Sequence, residues 1–171
     1  QSYDEESDLV YSFIAVFKGK LSYSEKEFEQ LLWQQLQFIH EADDISWDAD
    51  VNRDPEAPDF SFSIGGKAFY VVGLHPNSSR RSRQAPYPSI AFNLHSQFEN
   101  LRKKGRYEQV KQRIREREIA LQGNLNPMLQ DFNEGSEARQ YSGRKVGENW
   151  KCPFLHKKLE HVPAEKIPED R

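Results

Sequence analysis

The sequence predicts an α+β fold: a single domain in which helices pack on an antiparallel sheet. Three patterns predict it: an apolar run rich in β-branched and aromatic residues, two runs around a Gly-Gly pair, and two stretches with helical spacing of apolar residues. Two strands joined by a two-residue Gly-Gly turn must run antiparallel to each other. We therefore expect an antiparallel sheet with helices packed on it. An aromatic content of 12% in 171 residues argues against disorder and provides material for a core.

A strand and a helix come first. Residues 9–17 (LVYSFIAVF) combine β-branched and aromatic side chains and are predicted to form a mostly buried strand. Ser24 and Glu27 have the spacing of a capping box, after which apolar residues recur every three or four positions. This spacing predicts a helix at about 25–41, followed by an acidic, proline-containing loop at 43–59.

A β-hairpin is predicted next. Residues 59–64 alternate strictly between polar and apolar and form the first strand. Gly65-Gly66 provides a two-residue turn, and residues 67–74 form the second strand. The alternation predicts one solvent-exposed face for the first strand, whereas the more continuous second strand is expected to lie deeper. A further short strand is predicted at 88–93.

The last predicted regular element is a long helix at about 94–119, capped by Asn93. Gly105 weakens its middle and is a point at which it can break into two helices. Gly123 and Pro127 end the element, and a long irregular C-terminal segment follows. The expected inner stripe of this helix consists of Phe98, Leu101, Val110, Ile114 and Leu121.

The bulk composition narrows the functional classes. We expect one domain at 1–155 with an incomplete N-terminus, since the first residue is Gln, and a charged tail at 156–171. A single cysteine cannot form an internal disulfide and predicts a reducing, cytoplasmic location. No run is apolar enough for a membrane span, and a net charge of −3 argues against general nucleic-acid binding.

Two dense polar blocks contain the candidates for a functional site: the first block, residues 75–83 (HPNSSRRSR), and the second block, residues 126–144. Turns rich in Arg, Ser, Asn and Gly can aim several donors at one anion, although solvated surface loops have similar composition. His75 at the end of a strand and His95 at the start of a helix are the histidines most suggestive of a site. His40 is interpreted as a helix-end residue, and His156 and His161 as solvated.

A haem site suits these residues better than a zinc site. Zinc-type spacings of His and Cys are absent from the sequence, whereas haem iron needs a single protein ligand and takes the others from the porphyrin. Guanidinium groups bind carboxylates such as haem propionates, and the first block has three: Arg80, Arg81 and Arg83. Cys152 is either a thiolate beside Lys151 or a small buried apolar residue, with base rates in favour of the second.

Several runs together resemble one family of bacterial proteins. These are GLHPNSSRRSR (73–83), FNLHSQFE (92–99), NPML (126–129), SEARQYSGR (136–144) and WKCPF (150–154). They are similar, in this order, to the YqcI/YcgG family, also called FPC/CPF motif proteins. The resemblance implies haem b, O₂ and an external reductant, because studied members are haem-dependent N-oxygenases that place oxygen on a guanidine nitrogen.

The resemblance implies roles for particular residues. The axial ligand of the iron would be His75, with His95 and Cys152 as alternatives, and His75 is preferred because the arginines follow it directly. Acidic groups for a cationic small-molecule substrate would come from Asp131, Glu134 and Glu137, and Tyr141 and Ser142 would hydrogen-bond to O₂. The FPC motif expected near the family N-terminus is absent, so haem affinity is expected to fall if that segment belongs to the pocket.

Other classes of function remain open at this stage. A haem-binding or redox-sensing protein without turnover would share the haem spectrum but form no product. An anion- or nucleic-acid-binding module would use the first block and the basic face at 102–117, and its binding would fall steeply with salt. A diverged member that retains only the fold is the fourth possibility.

Overall fold

Four strands form one antiparallel sheet in the order β1-β4-β3-β2, which confirms the α+β class. The computed structural model describes residues 10–19, 22–128 and 134–156. The strands are β1 (Ser12–Val16), β2 (Phe62–Ile64), β3 (Lys67–Leu74) and β4 (Ser89–Leu94). The helices are α1 (Glu25–Ala42), α2 (His95–Lys103) and α3 (Tyr107–Gln122), with short 3₁₀ helices at Arg81–Arg83 and Glu137–Gln140.

Helix α1 begins at the predicted capping box. The Glu27 amide donates to Ser24 Oγ at 3.3 Å, and the Ser24 amide donates to Glu27 Oε2 at 2.8 Å, so two donors of the first turn are satisfied reciprocally. The buried face of α1 then packs on the sheet in a core of aromatic and aliphatic side chains. This core contains Phe28, Leu32, Trp33, Leu36, Phe60, Phe62, Val71, Ile90, Phe92, Ala138, Tyr141 and Phe154.

Helix α1 lies close against the sheet at Gly73 in β3. A Cβ atom at Gly73 would lie 2.6 Å from Leu32 Cδ1, 2.8 Å from Phe28 Cε1 and 2.8 Å from the Tyr141 carbonyl oxygen. The Gly73 amide also donates to that carbonyl oxygen at 2.7 Å. Glycine therefore allows the helix, the strand and the second block to meet at one point.

The predicted hairpin is confirmed, but the expected exposed face of its first strand is wrong. Gly65 and Gly66 have φ of 58° and 73°, as a two-residue turn of this type requires. Only 62–64 pair as a strand, and Ser61 and Ser63 are both buried. Their hydroxyls are satisfied inside the protein, since Ser61 Oγ donates to Glu137 Oε2 at 3.0 Å and Ser63 Oγ accepts from the Asp48 amide at 3.0 Å.

The prediction that the first strand is mostly buried is wrong. β1 pairs with β4 alone and is an edge of the sheet, so neither its outer edge nor most of its side chains are covered by described residues. Phe13 is 67% exposed and Ile14 53% exposed. The apolar run was sufficient to identify a strand but did not indicate whether a second layer covers it.

The break at Gly105 is confirmed, while two details of the long helix are wrong. Gly105 and Gly123 have φ of 67° and 83°, and they separate α2 from α3 and end α3. Asn93 is not a cap; it lies in β4, where Oδ1 accepts from Ser12 Oγ at 2.5 Å and Nδ2 donates to the Tyr70 carbonyl at 3.3 Å.

The expected inner stripe is confirmed at Leu101 of α2, which is buried, but it is wrong at its last two members, in α3. Ile114 and Leu121 are exposed, and the buried residue of α3 is instead Glu118, which faces the first block. Apart from the 3₁₀ helix at Glu137–Gln140, the described residues after α3 are irregular, as expected. Among the helices that the structure describes, none is both long and apolar enough to cross a membrane.

Candidate functional site

The two polar blocks lie against each other at the carboxyl end of β3. Arg83 of the first block packs on Gly143 of the second: its Cγ lies 3.1 Å from the position of a Cβ at Gly143, which has φ of +80°. The hydrogen bond between the Gly73 amide and the Tyr141 carbonyl joins the same two segments. The blocks that the sequence singled out therefore build one locus.

His75 is the first residue after β3 and is buried at this locus. Its amide donates to the Arg83 carbonyl at 3.0 Å, and its ring stacks on Phe28 with centroids 4.4 Å apart. The side chain is 1% exposed, yet Nδ1 and Nε2 both have no hydrogen-bond partner among the described residues. Burial lowers the pKa of His75, against a smaller opposing effect of Glu25, so the imidazole is neutral at neutral pH.

Arg80 is held by protein groups. Its Nη2 lies 2.6 Å from Glu118 Oε1 and donates to the Asn124 carbonyl at 3.0 Å, while Nη1 donates to Asn124 Oδ1 at 2.7 Å. Both members of the Arg80–Glu118 ion pair are buried. This guanidinium therefore connects the first block to α3 and to Asn124, while its buried Nε has no hydrogen-bond partner among the described residues.

The guanidinium groups of Arg81 and Arg83 donate fewer hydrogen bonds to the protein than that of Arg80. Arg81 is exposed, and its Nη1 donates to the Leu121 carbonyl at 3.2 Å. Arg83 Nη1 donates to the Gly73 carbonyl at 3.3 Å, and within the described part of the chain no carboxylate forms an ion pair with Arg83. Burial lowers the pKa of Arg83 to about 10, with a further decrease from the charge of Arg80 and an opposing effect of Glu118.

The second block is attached to α1 through Glu29, which sequence reasoning missed. Arg144 donates to Glu29 Oε2 from Nη2 at 2.5 Å and from Nε at 3.1 Å, and Ser142 Oγ donates to Glu29 Oε1 at 3.3 Å. Glu29 is buried within the apolar face of α1. A charged residue in a buried stripe was the available signal, because it requires a partner.

Glu137 and Tyr141 lie deeper in the protein. Glu137 is buried, and burial raises its pKa to about 8 despite the Ser61 hydrogen bond, an opposing interaction with Tyr70 and the charge of Arg102. The carboxyl group is therefore mostly protonated at neutral pH. Tyr141 Oη accepts from the Phe62 amide at 3.1 Å, and burial raises the pKa of Tyr141, so its phenol keeps its proton.

His95 occupies the opposite end of the sheet from His75. β3 and β4 are antiparallel with six residue pairs, so their carboxyl ends are separated by roughly 17 Å at about 3.4 Å per residue. His95 stacks on Tyr70, with centroids 4.8 Å apart, and lines a cleft of about 830 Å³ together with Asp48, Arg102 and other charged residues. The two histidines cannot serve the same site.

Cys152 lies beside a cavity of about 870 Å³ that His40 and His156 also line. Its amide donates to Glu56 Oε1 at 3.0 Å, and burial raises the pKa of the thiol to about 12. The side chain is therefore a thiol packed against the core, rather than a thiolate.

The interpretation of His156 as solvated is wrong. Its ring centroid lies 4.9 Å from that of His40 and 5.2 Å from that of Trp47, and it is partly buried. Glu134 is exposed, whereas Asp131 and His161 lie outside the described residues.

Comparison with known proteins gives a family and no activity. The model of the YqcI/YcgG family matches residues 1–155. Two Bacillus subtilis (strain 168) relatives are similar, both named as uncharacterized proteins: YcgG, 28% identical over 142 residues, and YqcI, 29% identical over 80 residues. These matches cover 80% and 46% of this chain but 56% and 32% of the relatives, so the chain spans about half or less of their length. No solved structure matches the chain.

Proposed function

The chain belongs to the YqcI/YcgG family, and on that premise we propose that it binds haem b through His75 for oxygen chemistry. The reaction would place one oxygen atom of O₂ on a guanidine or amine nitrogen of an arginine-like small molecule, while an external reductant supplies two electrons and the second oxygen atom leaves as water. The reaction class comes from the family resemblance, and the observation that carries the choice of residue is the imidazole of His75.

A buried imidazole with two unsatisfied nitrogens suits a metal ligand. Leaving a buried polar group without a partner costs about 1–3 kcal/mol, and a coordinate bond to iron would offset this cost for one of the two nitrogens. The low pKa of His75 helps, since only a neutral imidazole can bind a metal. Among the described residues no group of three His, Cys, Asp or Glu side chains could hold a metal ion, so a lone His75 suits haem iron better than a free ion.

Arg83 is the arginine that best suits a propionate. It follows His75 in the same loop, it is partly buried, and among the described residues its side chain donates one hydrogen bond, to a backbone carbonyl. Arg80 would have to give up a buried ion pair to play that role. The fit of the locus to haem thus depends on His75 and Arg83, with Arg80 as structural support.

The alternative iron ligands suit the proposal less well. Cys152 lies beside a different cavity, which none of the three arginines of the first block lines. His95 is at the far end of the sheet from Arg83, next to Arg102 and Glu99 instead. Both residues nevertheless provide controls. If His95 or Cys152 were the iron ligand, its own substitution, and not that of His75, would abolish the haem spectrum.

Haem supplies O₂ activation when bound, and the chain's own residues would manage protons and charge. Glu137 carries a proton at neutral pH and can donate it. A guanidinium placed beside Glu137 would lower its pKa and turn it into an anionic partner for the substrate. Tyr141 Oη accepts from the Phe62 amide and keeps its own hydrogen for donation, while Ser142 is committed to Glu29.

Haem titration tests the binding step. Purified protein is mixed with haemin, and the Soret band is followed in the wild type and in His75→Ala, His95→Ala and Cys152→Ser. We expect His75→Ala alone to lose or shift the band and to recover it with added imidazole. An unchanged spectrum of His75→Ala, or no Soret band in the wild type, would contradict the assignment.

Product analysis tests the chemistry separately. Haem-loaded protein is incubated with arginine-like amines, O₂ and a reductant, and hydroxylated product is sought by mass spectrometry with ¹⁸O₂. Incorporation of one ¹⁸O atom is the expected result. A normal haem spectrum without product from any guanidine or amine would instead support haem binding or redox sensing without turnover.

A further inference from the structure

We propose that β1 is a dimerisation strand, through which two copies of this chain pair antiparallel and join their four-stranded sheets into one sheet of eight. The juxtaposition that carries this inference is an uncovered apolar strand at the edge of the sheet, flanked in sequence by opposite charges. It is independent of whether the protein binds haem.

β1 has the properties of an unprotected edge. It is the terminal strand in the order β1-β4-β3-β2, so the backbone groups on its outer side have no strand partner among the described residues. Its large side chains are exposed on both faces, with Phe13 at 67% and Ile14 at 53%. Proteins usually protect such an edge with charges, proline, bulges or a short strand. The exposed apolar residues of this segment are Val10, Tyr11, Phe13, Ile14, Val16 and Phe17.

The other edge of the sheet shows the protection that β1 lacks. β2 is three residues long, and Phe62 and Ser63 within it are buried. By contrast, residues 9–17 contain no charged residue and no proline. An apolar edge strand without these devices is typical of a strand that pairs with another chain.

A second copy of the chain is the occupant that the charges favour. In the sequence, the carboxylates of Asp4, Glu5, Glu6 and Asp8 precede the apolar run, and Lys18 and Lys20 follow it. Antiparallel pairing of two copies near Phe13 brings the acidic flank of each copy opposite the basic flank of the other. Parallel pairing would instead align like charges. A self-complementary segment of this kind suits a two-fold symmetric interface.

Sedimentation velocity over a range of concentrations tests the association. We expect wild-type protein to dimerise and Ile14→Lys to shift the dissociation constant at least 100-fold toward monomer. Ile114→Lys is the matched control, because Ile114 is 52% exposed on α3 and lies outside the proposed interface. Wild-type protein that is monomeric at all concentrations overturns the proposal, as does a dimer that only Ile114→Lys dissociates.

Cross-linking tests the register and does not depend on the stability of the lysine variant. In a Cys152→Ser background, Phe13→Cys should form a covalent dimer on mild oxidation, because residues opposite each other in an antiparallel pair are close enough for a disulfide. Phe38→Cys, at an equally exposed position (66%) on α1, should remain monomeric. Equal cross-linking of both variants, or none of Phe13→Cys, overturns the antiparallel pairing.

Discussion

Arg80 and Glu118 form a buried ion pair with 2.6 Å between Nη2 and Oε1, and this pair connects the first polar block to the C-terminal part of α3. The side chains are 10% and 8% exposed. A residue expected to bind an external anion thus has a carboxylate of the same chain as its partner.

Glu118→Gln should destabilise the protein by about 3 kcal/mol, because it leaves a buried guanidinium without its counter-charge. Urea unfolding monitored by circular dichroism measures the loss. Lys151→Met is the control, since it breaks an exposed ion pair with Glu56 at 3.9 Å and should cost less than about 0.5 kcal/mol. Similar losses in both variants would mean that the burial of the Arg80 pair contributes little.

Gly73→Ala should reduce stability by about 2–3 kcal/mol, because the added methyl group meets Leu32, Phe28 and the Tyr141 carbonyl within 2.8 Å. Thermal unfolding should show the difference. Gly147→Ala provides the comparison, since a Cβ there would meet nothing within 4 Å. A Gly73→Ala protein as stable as Gly147→Ala would contradict the close packing of α1 on β3.

Glu137 should make the protein less stable as the pH rises. Its pKa is raised from 4.5 to about 8, so between these values the folded state binds more protons than the unfolded state, and the free energy of unfolding falls. Glu137→Gln should abolish this decrease, so the variant gains relative to wild type from pH 5 to pH 9. Parallel pH dependences of the two proteins would show that Glu137 titrates normally.

His75 should make the protein less stable as the pH falls. Burial lowers its pKa below 6.5, so the unfolded state binds the proton first and stability is lost as the pH falls below about 6.5. His75→Phe should therefore lose less stability than wild type between pH 7 and pH 5, in haem-free protein. The lowered pKa values of His95 and His156 act in the same direction, so the comparison is between single variants.

The sequence correctly predicted those caps, turns and breaks that a few neighbouring residues determine. The capping box at Ser24, the turn at Gly65-Gly66 and the break at Gly105 each follow from the conformational preferences of a few residues. Burial depends on which elements cover one another, and this is why β1 and Ile114 proved exposed. Nothing near Ser61 in the sequence indicates that its hydroxyl donates a hydrogen bond to Glu137, 76 positions later.

The candidate residues were identified by type, but their grouping depends on the topology. His75 and His95 both follow strands, and only the antiparallel order of β3 and β4 shows that they belong to opposite ends of the sheet. The partners Glu29 and Glu118 were missed because each lies on a helix whose neighbours at long range were unknown. The types of residue therefore suggested candidates for a site, and the strand directions show which of these candidates can belong to the same site.

The separation of His75 from His95 has a consequence for how such a protein can diversify. Substitutions at one end of the sheet reach the other only through rigid strands, so each end can accumulate changes with little penalty at the other. A descendant could change the residues of the first block while the cleft beside His95 stays the same, or the reverse. Relatives with the same fold are then expected to differ at one end of the sheet while the other end is unchanged.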